Sequence, residues 1–453
     1  MHKAPHAHDA HSQTGTHWLV LSHCFNMDGR AASQVIADKI PMLIAKGITP
    51  IVISAPMGRR ATTHPHIQAF AVGPSALRFD ARHLLSERIG RGVAYRVLTG
   101  LLSLVLAPLI IVERLLSGLQ NHASWTLSAI ILGLRVIRRH QPTLIYTTGG
   151  AYSAHWAGYW LKRLTGVAWV AEVHDPMILP GQPLKNRNLR RIAKTEALIC
   201  QHADLAWWLT RAALDSARQR HPEIQDRGFW VHSGAMPPMA LRDAIATPGV
   251  IATPSLDAFH IGHFGSLSRS RNTGAFVQAL ASFVRRRPEV RSHLVIDLFG
   301  SDLDPIGRAA ASAAGIEALF VFHGRLAHEA VFNAMERVDL LLLIHGSSAE
   351  CSEYIPAKTF EYFWAHRPVL ACTYRNTELD RLVLERNGYV AEGDNVESIS
   401  GALEAAYLGW ENDSWKPSDI APISVESAVQ TILDRISSKL AQSLPTPQPY
   451  PTA

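Results

Sequence analysis

Between His345 and Ala371 the chain reads HGSSAECSEYIPAKTFEYFWAHRPVLA, which sets two carboxylates, Glu353 and Glu361, eight residues apart with Lys358 between them. A buried strand, LLLLI, comes just before, and Pro356 suits the first position of a helix because its φ is fixed and its missing N–H is not needed there. The start of that helix, with the amides of Ala357 to Thr359 and the aligned peptide dipoles, offers a place for an anion such as a diphosphate. Glu353 in the preceding loop and Glu361 beside Lys358 can each accept charge-assisted hydrogen bonds from sugar or ribose hydroxyls. The alternative is a solvated helix start carrying a surface Lys and Glu pair.

Further candidates sit where strands end. His174 and Asp175 close the run AWVAEVH; an imidazole there can bond a hydroxyl or move a proton, with Asp175 or Glu172 orienting it or meeting an acceptor. In HCFNMDGRAASQ, Gly29 lets the backbone approach a ligand and Arg30 can meet an anion. A structural histidine and an ordinary strand-to-helix turn are the plain readings of these two places. Asp302-Leu303-Asp304 has the spacing of a metal motif but falls at a strand end, and reads as a loop. The His-rich start of the chain reads as unordered, so no metal is assigned. There is no Gly-x4-Gly-Lys-Ser/Thr run and no Gly-x-Ser-x-Gly elbow, which disfavours a P-loop kinase and an elbow-type hydrolase.

These residues need a scaffold of strands and crossover helices. Short apolar runs at 18–22, 48–54, 68–73, 143–148, 168–174 and 205–210 alternate with helix-length segments, and a second series follows at 259–265, 293–300, 319–324, 340–346, 368–373 and 389–393. The alternation implies parallel α/β sheets. The expected organisation is a tail over 1–16, an α/β domain over 17–235, a Pro-rich linker over 236–257, and a second α/β domain over 258–420. A helix over 421–443, packing back toward the first domain, and a Pro-rich tail over 444–453 complete it. Ligands of open α/β sheets bind at carboxyl strand edges, so the site is expected in a cleft between the domains.

The spacing Glu353-x7-Glu361, followed by Arg367-Pro368 and a strand, resembles the nucleotide-sugar signature of retaining, family-four glycosyltransferases. LIYTTGGAYSAHWAGYWLKRLTGVAWVAEVHDP (144–176), HADLAWWLT (202–210), HFGSLSRSRNTGAFVQAL (263–280), IDLFGSD (296–302) and VFHGRL (321–326) are similar to that family's strand ends, so the resemblance runs from residue 17 to about 410. It implies a GT-B fold: two Rossmann-like domains with parallel sheets facing a central cleft. It also implies transfer of a hexosyl or similar sugar from a nucleoside diphosphate to an acceptor hydroxyl, with retention, and no metal or other cofactor. Glu361 would take the ribose and Glu353 the donor sugar, and His174, Asp175, Lys358 and Glu353 would form the catalytic set. Gly265, Ser266, Arg269, Arg271, Gly300, Arg325, Ile355 and Ala357 would complete the donor site, with Gly29, Arg30, Gly149 and Gly150 on the acceptor side. Ser266 stands where the family usually has Arg, and Arg271, or Arg269, takes the place of its Lys. A sugar-nucleotide epimerase of the same fold and a non-catalytic nucleotide-sugar or membrane-binding protein are the alternatives.

The chain has 453 residues, 47% of them apolar and 18% charged, the latter below the roughly 25% of an average soluble protein. Global disorder is excluded. A net charge of +6 suits an anionic substrate or lipid more than nucleic acid, which is not expected as a partner. Four cysteines, Cys24, Cys200, Cys351 and Cys372, lie far apart, fitting a reducing, cytoplasmic setting. The uncharged run Val97–Val112 is shorter than the roughly 20 residues that cross a bilayer and contains Pro108. Flanked by Arg82, Arg88, Arg91, Arg96 and Arg114, it reads either as a helix in a headgroup layer on the inner face of the cell membrane or as a buried helix pair. The basic run KNRNLRRIAK (185–194) reads as a solvated helix face or a contact for anionic lipid. A lipid-linked acceptor, as in surface-polysaccharide assembly, fits the apolar run.

Overall fold

Among the described residues the apolar runs form two parallel sheets. The computed structural model describes residues 16–27, 31–58, 60–90, 92–117, 123–149, 151–238, 258–326 and 328–443. The expected tails, apart from Thr16, the expected linker from residue 239 onward, and Gly29, Arg30 and Gly150 lie outside the described residues.

The first sheet holds β1 (Thr16–Leu21), β2 (Ile48–Ser54), β3 (His66–Gln68), β4 (Leu144–Thr147), β5 (Ala168–Val173), β6 (Leu205–Trp208) and β7 (Gly228–Trp230), in the order β3-β2-β1-β4-β5-β6-β7. The second holds β8 (Phe259–Phe264), β9 (Leu294–Phe299), β10 (Phe320–Gly324), β11 (Leu340–Ile344), β12 (Val369–Thr373) and β13 (Tyr389–Glu392), in the order β10-β9-β8-β11-β12-β13. Both follow the doubly wound pattern, in which the strand order reverses beside the first strand and leaves a crevice at the carboxyl ends. In the second sheet the reversal lies between β8 and β11, which pair in parallel.

Strand β11 shows why such runs are legible. Its five residues, LLLLI, are all buried. Leu340, Leu342 and Ile344 pack with Phe276, Leu280 and Phe283 of the helix Gly274–Arg286, while Leu341 and Leu343 pack with Phe360 and Phe363 on the other face. A strand covered on both faces has no polar position, so its sequence is continuous rather than alternating.

The chain divides into two compact units, Met1–Glu172 with His202–Asp204, and Val173–Gln201 with Leu205–Ala453. In the first unit Glu172 is fully buried. It accepts hydrogen bonds from Lys39, from the Tyr146 hydroxyl (2.6 Å) and from Thr148. Glu172 is thus a core ion-pair member and not the acceptor-binding or His174-orienting group expected from its place in the sequence. In the second unit the C-terminal helix, Val425–Ser443, buries Val429 and Ile432 and reaches Asp226 through Lys439 (3.2 Å).

Three elements depart from expectation. The run expected as a strand over 68–73 pairs only at His66–Gln68, and Phe70 and Val72 beyond it are exposed. Strand β7 was not anticipated. The run around Val97–Val112 is part of a longer helix, Val93–Ser117, that continues through Pro108. Over Val93–Leu115, 23 residues, it is long and apolar enough to cross a membrane by length and composition, which the shorter reading had not allowed. It pairs with the helix Pro74–Ile89 but is largely exposed, so the buried-pair alternative does not hold.

Candidate functional site

The reversal between β8 and β11 gathers the candidate donor residues. Gly265 follows β8 with φ +121° and Gly346 follows β11 with φ +104°, a backbone region that side chains rarely adopt. A Cβ at Gly346 would stand 2.7 Å from the Ser270 carbonyl oxygen and 3.2 Å from Cγ of Arg271, and one at Gly265 would stand 3.4 Å from Nζ of Lys358. The two glycines let the loop carrying Arg271 and the side chain of Lys358 close over the strand ends. Gly300, at the end of β9, abuts the Gly265 backbone.

Lys358 is half-buried and donates from Nζ to the Phe264 carbonyl (2.9 Å). Burial pushes its ammonium down to about 7, the Arg271 guanidinium adds to the fall, and Glu361, half-buried in the first helical turn, opposes it. The Lys358 ammonium, disfavoured first by burial and then by Arg271, is a charge that an anion bound there would stabilise. Burial also holds His263 well below its usual range and His345 at about 4, so both imidazoles are neutral near pH 7.

The loop between β11 and the helix Lys358–Trp364 is fastened on two flanks. Thr210, which also caps the helix Arg211–Arg220, donates to the Glu353 carbonyl (2.6 Å), and Ser216 of that helix donates to the Glu353 carboxylate. From the other side Asn376 donates to the carbonyls of Cys351 (2.7 Å) and Tyr354 (2.8 Å) while its Oδ1 caps the helix Thr377–Leu384 through Leu379 N–H (2.9 Å). His345 donates to Tyr354 O (3.0 Å). Glu353 itself is 4% exposed, and burial raises its carboxyl against the pull of Ser216 and Arg220. Expected to grip a donor sugar, it is packed inward, where it holds the loop.

The helix start also differs from expectation. The helix spans seven residues with Ala357 at its cap, and Pro356 precedes it. The Thr359 amide donates to Pro356 O (2.9 Å) and the Phe360 amide to Ala357 O (3.1 Å), so the expected row of open amides is shortened to its first members. The anion-binding character rests on the side chains of Arg271 and Lys358.

Beside them opens a cavity of about 460 Å³ lined by Asp175, Pro176, Met177, Leu179, Gln182, Leu189, Ser270, Arg271, Ser348, Glu350, Cys351 and Tyr354. Asp175 is exposed there, and the half-buried His174 precedes it without lining the cavity. Ser266, Arg269 and Arg325 are exposed and also lie off the lining, and Ile355 is half-buried against the core. Gly149 ends β4 with φ +101° in the first unit. Asp304 caps the helix Pro305–Ala314 by accepting from Ile306 and Gly307 and also from Thr273, which bears out the loop reading of its motif. Tyr354, Cys351, Gln182 and Asn376 were not singled out from sequence. Only Asn376, an Asn two residues before Glu378 at a helix start, carried a local signal, that of an N-cap.

No family model matches the sequence, and no curated protein matches it. Solved structures do match. Sucrose-phosphate synthase from Thermosynechococcus elongatus superposes over 94% of this chain and 100% of its own, with TM-score 0.59 and 13% identity. The catalytic domain of starch synthase IV from Arabidopsis thaliana, bound to ADP and acarbose, covers 94% and 99%, with TM-score 0.57 and 11% identity.

The fold is GT-B.

UDP-GlcNAc 2-epimerase from Methanocaldococcus jannaschii covers 93% of this GT-B chain and 99% of its own, with TM-score 0.51 and 10% identity. At such identities the likeness concerns the fold, and transferases and an epimerase share it.

Proposed function

We propose that this GT-B protein transfers a hexosyl or similar sugar from a nucleoside diphosphate to an acceptor hydroxyl, with retention. The observation that carries the reading is the meeting of Arg271 and Lys358 at the β8/β11 reversal, beside a cavity bordered by Asp175. As the glycosidic bond loosens, charge gathers on the departing diphosphate, so both cations bind most strongly in the transition state. Their charge makes a divalent metal unnecessary. Gly265, Gly300 and the first amides at Ala357 leave room for the phosphates, and Glu361 accepts from the ribose. Asp175, with His174 behind it, meets the acceptor, and Glu353 positions the loop instead of touching the sugar. Exclusion of water from the cavity limits hydrolysis. The acceptor is a lipid-linked or surface-polysaccharide precursor, used at the inner face of the cell membrane.

Thermal-shift screening against UDP, GDP, ADP and their sugars identifies the donor. With it, Glu361→Ala weakens donor binding by calorimetry and Lys358→Ala lowers turnover, and wild-type behaviour of both variants removes the site. The epimerase reading is favoured by the shared fold of UDP-GlcNAc 2-epimerase; isomerised donor in an incubation without acceptor would select it. Activity unaffected by EDTA is the expected result for metal dependence.

A further inference from the structure

The helix Val93–Ser117 shows water a surface that soluble helices turn inward. Ten of its large aliphatic side chains are exposed, with Val93, Leu104, Val105 and Leu115 at 70% or more, whereas Thr99, Leu106 and Ile110 are its buried residues among those described. The buried stripe faces the helix Pro74–Ile89, to which it is tied by Arg78 Nε donating to Ser103 Oγ (2.9 Å) and by the Ser75 amide donating to Glu113 (2.9 Å). Phe70 and Val72, just ahead of that second helix, extend the exposed apolar surface. Patches of this kind on a folded chain mark a contact surface.

Charge says what the surface contacts. Glu113 is turned toward Ser75 and Asp80 is fully buried, while Arg82, Arg88, Arg96 and Arg114 stand exposed around the apolar residues. An aliphatic face rimmed by outward arginines, with the described carboxylates Glu113 and Asp80 turned away from it, complements an anionic headgroup layer above hydrocarbon. It does not complement itself, because a second copy would set arginine against arginine. We propose that this helix pair docks the protein on an anionic phospholipid surface, with Val93–Ser117 lying along the headgroup–acyl boundary and not crossing the bilayer. The in-plane orientation follows from the pairing: a crossing helix would carry Arg78, bonded near its middle, and the neighbouring Arg82 into hydrocarbon, where a charged side chain is costly. The proposal rests on the membrane contact of the proposed function and adds its lipid class, its element and its orientation.

The test uses the full chain and co-sedimentation with vesicles of phosphatidylcholine alone or with about one-third phosphatidylglycerol. Binding to the anionic vesicles, weaker by about tenfold on phosphatidylcholine and lowered by salt, is expected. Leu101→Asp/Leu104→Asp abolishes it, and Arg82→Gln/Arg88→Gln reduces it several-fold on anionic vesicles alone. Both changes are at exposed sites, and an unchanged melting temperature confirms folding. A fluorophore on Val105→Cys reports a shallow depth in the membrane; a mid-bilayer depth overturns the in-plane orientation. Equal binding to both vesicle types, no binding to either, or a dimer in sedimentation that Leu104→Asp dissociates overturns the proposal. Donor binding measured in the same samples keeps a failure here distinct from a failure of the transferase reading.

Discussion

Lys358 offers the most direct test of the proposed donor site, through pH. Its ammonium titrates at about 7 in the unliganded protein because it is buried beside Arg271. A diphosphate diester brings fixed negative charge that does not titrate near neutrality, so it recruits the protonated lysine and raises its pKa. The sign is fixed: binding takes up a proton, and affinity falls as pH rises through 7. With a pKa of about 7 the lysine is roughly nine-tenths charged near pH 6 and one-tenth near pH 8, so the donor's apparent dissociation constant should rise about tenfold across that interval. His345 at about 4, and His263, held well below its usual range by burial, are neutral throughout. The assay is calorimetry with a nucleoside-diphosphate sugar in buffers of different ionisation enthalpy near pH 8, where uptake of about 0.9 proton per donor is expected. Lys358→Arg, whose guanidinium stays charged, should bind with no such slope. A dissociation constant that is level from pH 6 to 8 in the wild type, with no proton taken up, would refute the pairing of Lys358 with phosphate.

Two further outcomes concern the scaffold. Asn376→Ala removes a helix cap, takes its donor from the Cys351 carbonyl and leaves the Tyr354 carbonyl with His345 alone, which should cost about 2–4 kcal/mol in urea unfolding and weaken donor binding more than turnover. Lys39→Met leaves the Glu172 carboxylate buried without its cation and should cost about 3–5 kcal/mol, while the double variant Lys39→Met/Glu172→Gln recovers part of that loss; equal losses in the single and double variants would show that the unpaired carboxylate is not the source of the cost.

The sequence exposed the scaffold well where burial is two-sided, as in LLLLI, because continuous apolar runs bounded by glycines have few other readings. It was less informative where a strand is short and at an edge: Gly228–Trp230 has three residues and follows a 3₁₀ turn. The helix Val93–Ser117 was underestimated because Arg96, Glu113 and Arg114 interrupt the uncharged run yet sit near the helix ends, where charge is readily accommodated. The site divides in the same way. Local spacing indicated Lys358 and Glu361, which open one helix, and the family resemblance indicated Gly265 and Arg271, which follow one strand. The inward turn of Glu353 depends on Thr210 and Ser216, more than 130 residues earlier, and no local pattern encodes a partner so distant.

The doubly fastened loop after β11 has a kinetic consequence. Its rotational freedom is surrendered when the chain folds, so an arriving molecule does not have to freeze it, and little entropy is forfeited on association. Discrimination among guests at the wall formed by Cys351 and Tyr354 then comes from shape already in place, and encounter should be quick, because no slow rearrangement of that wall precedes capture.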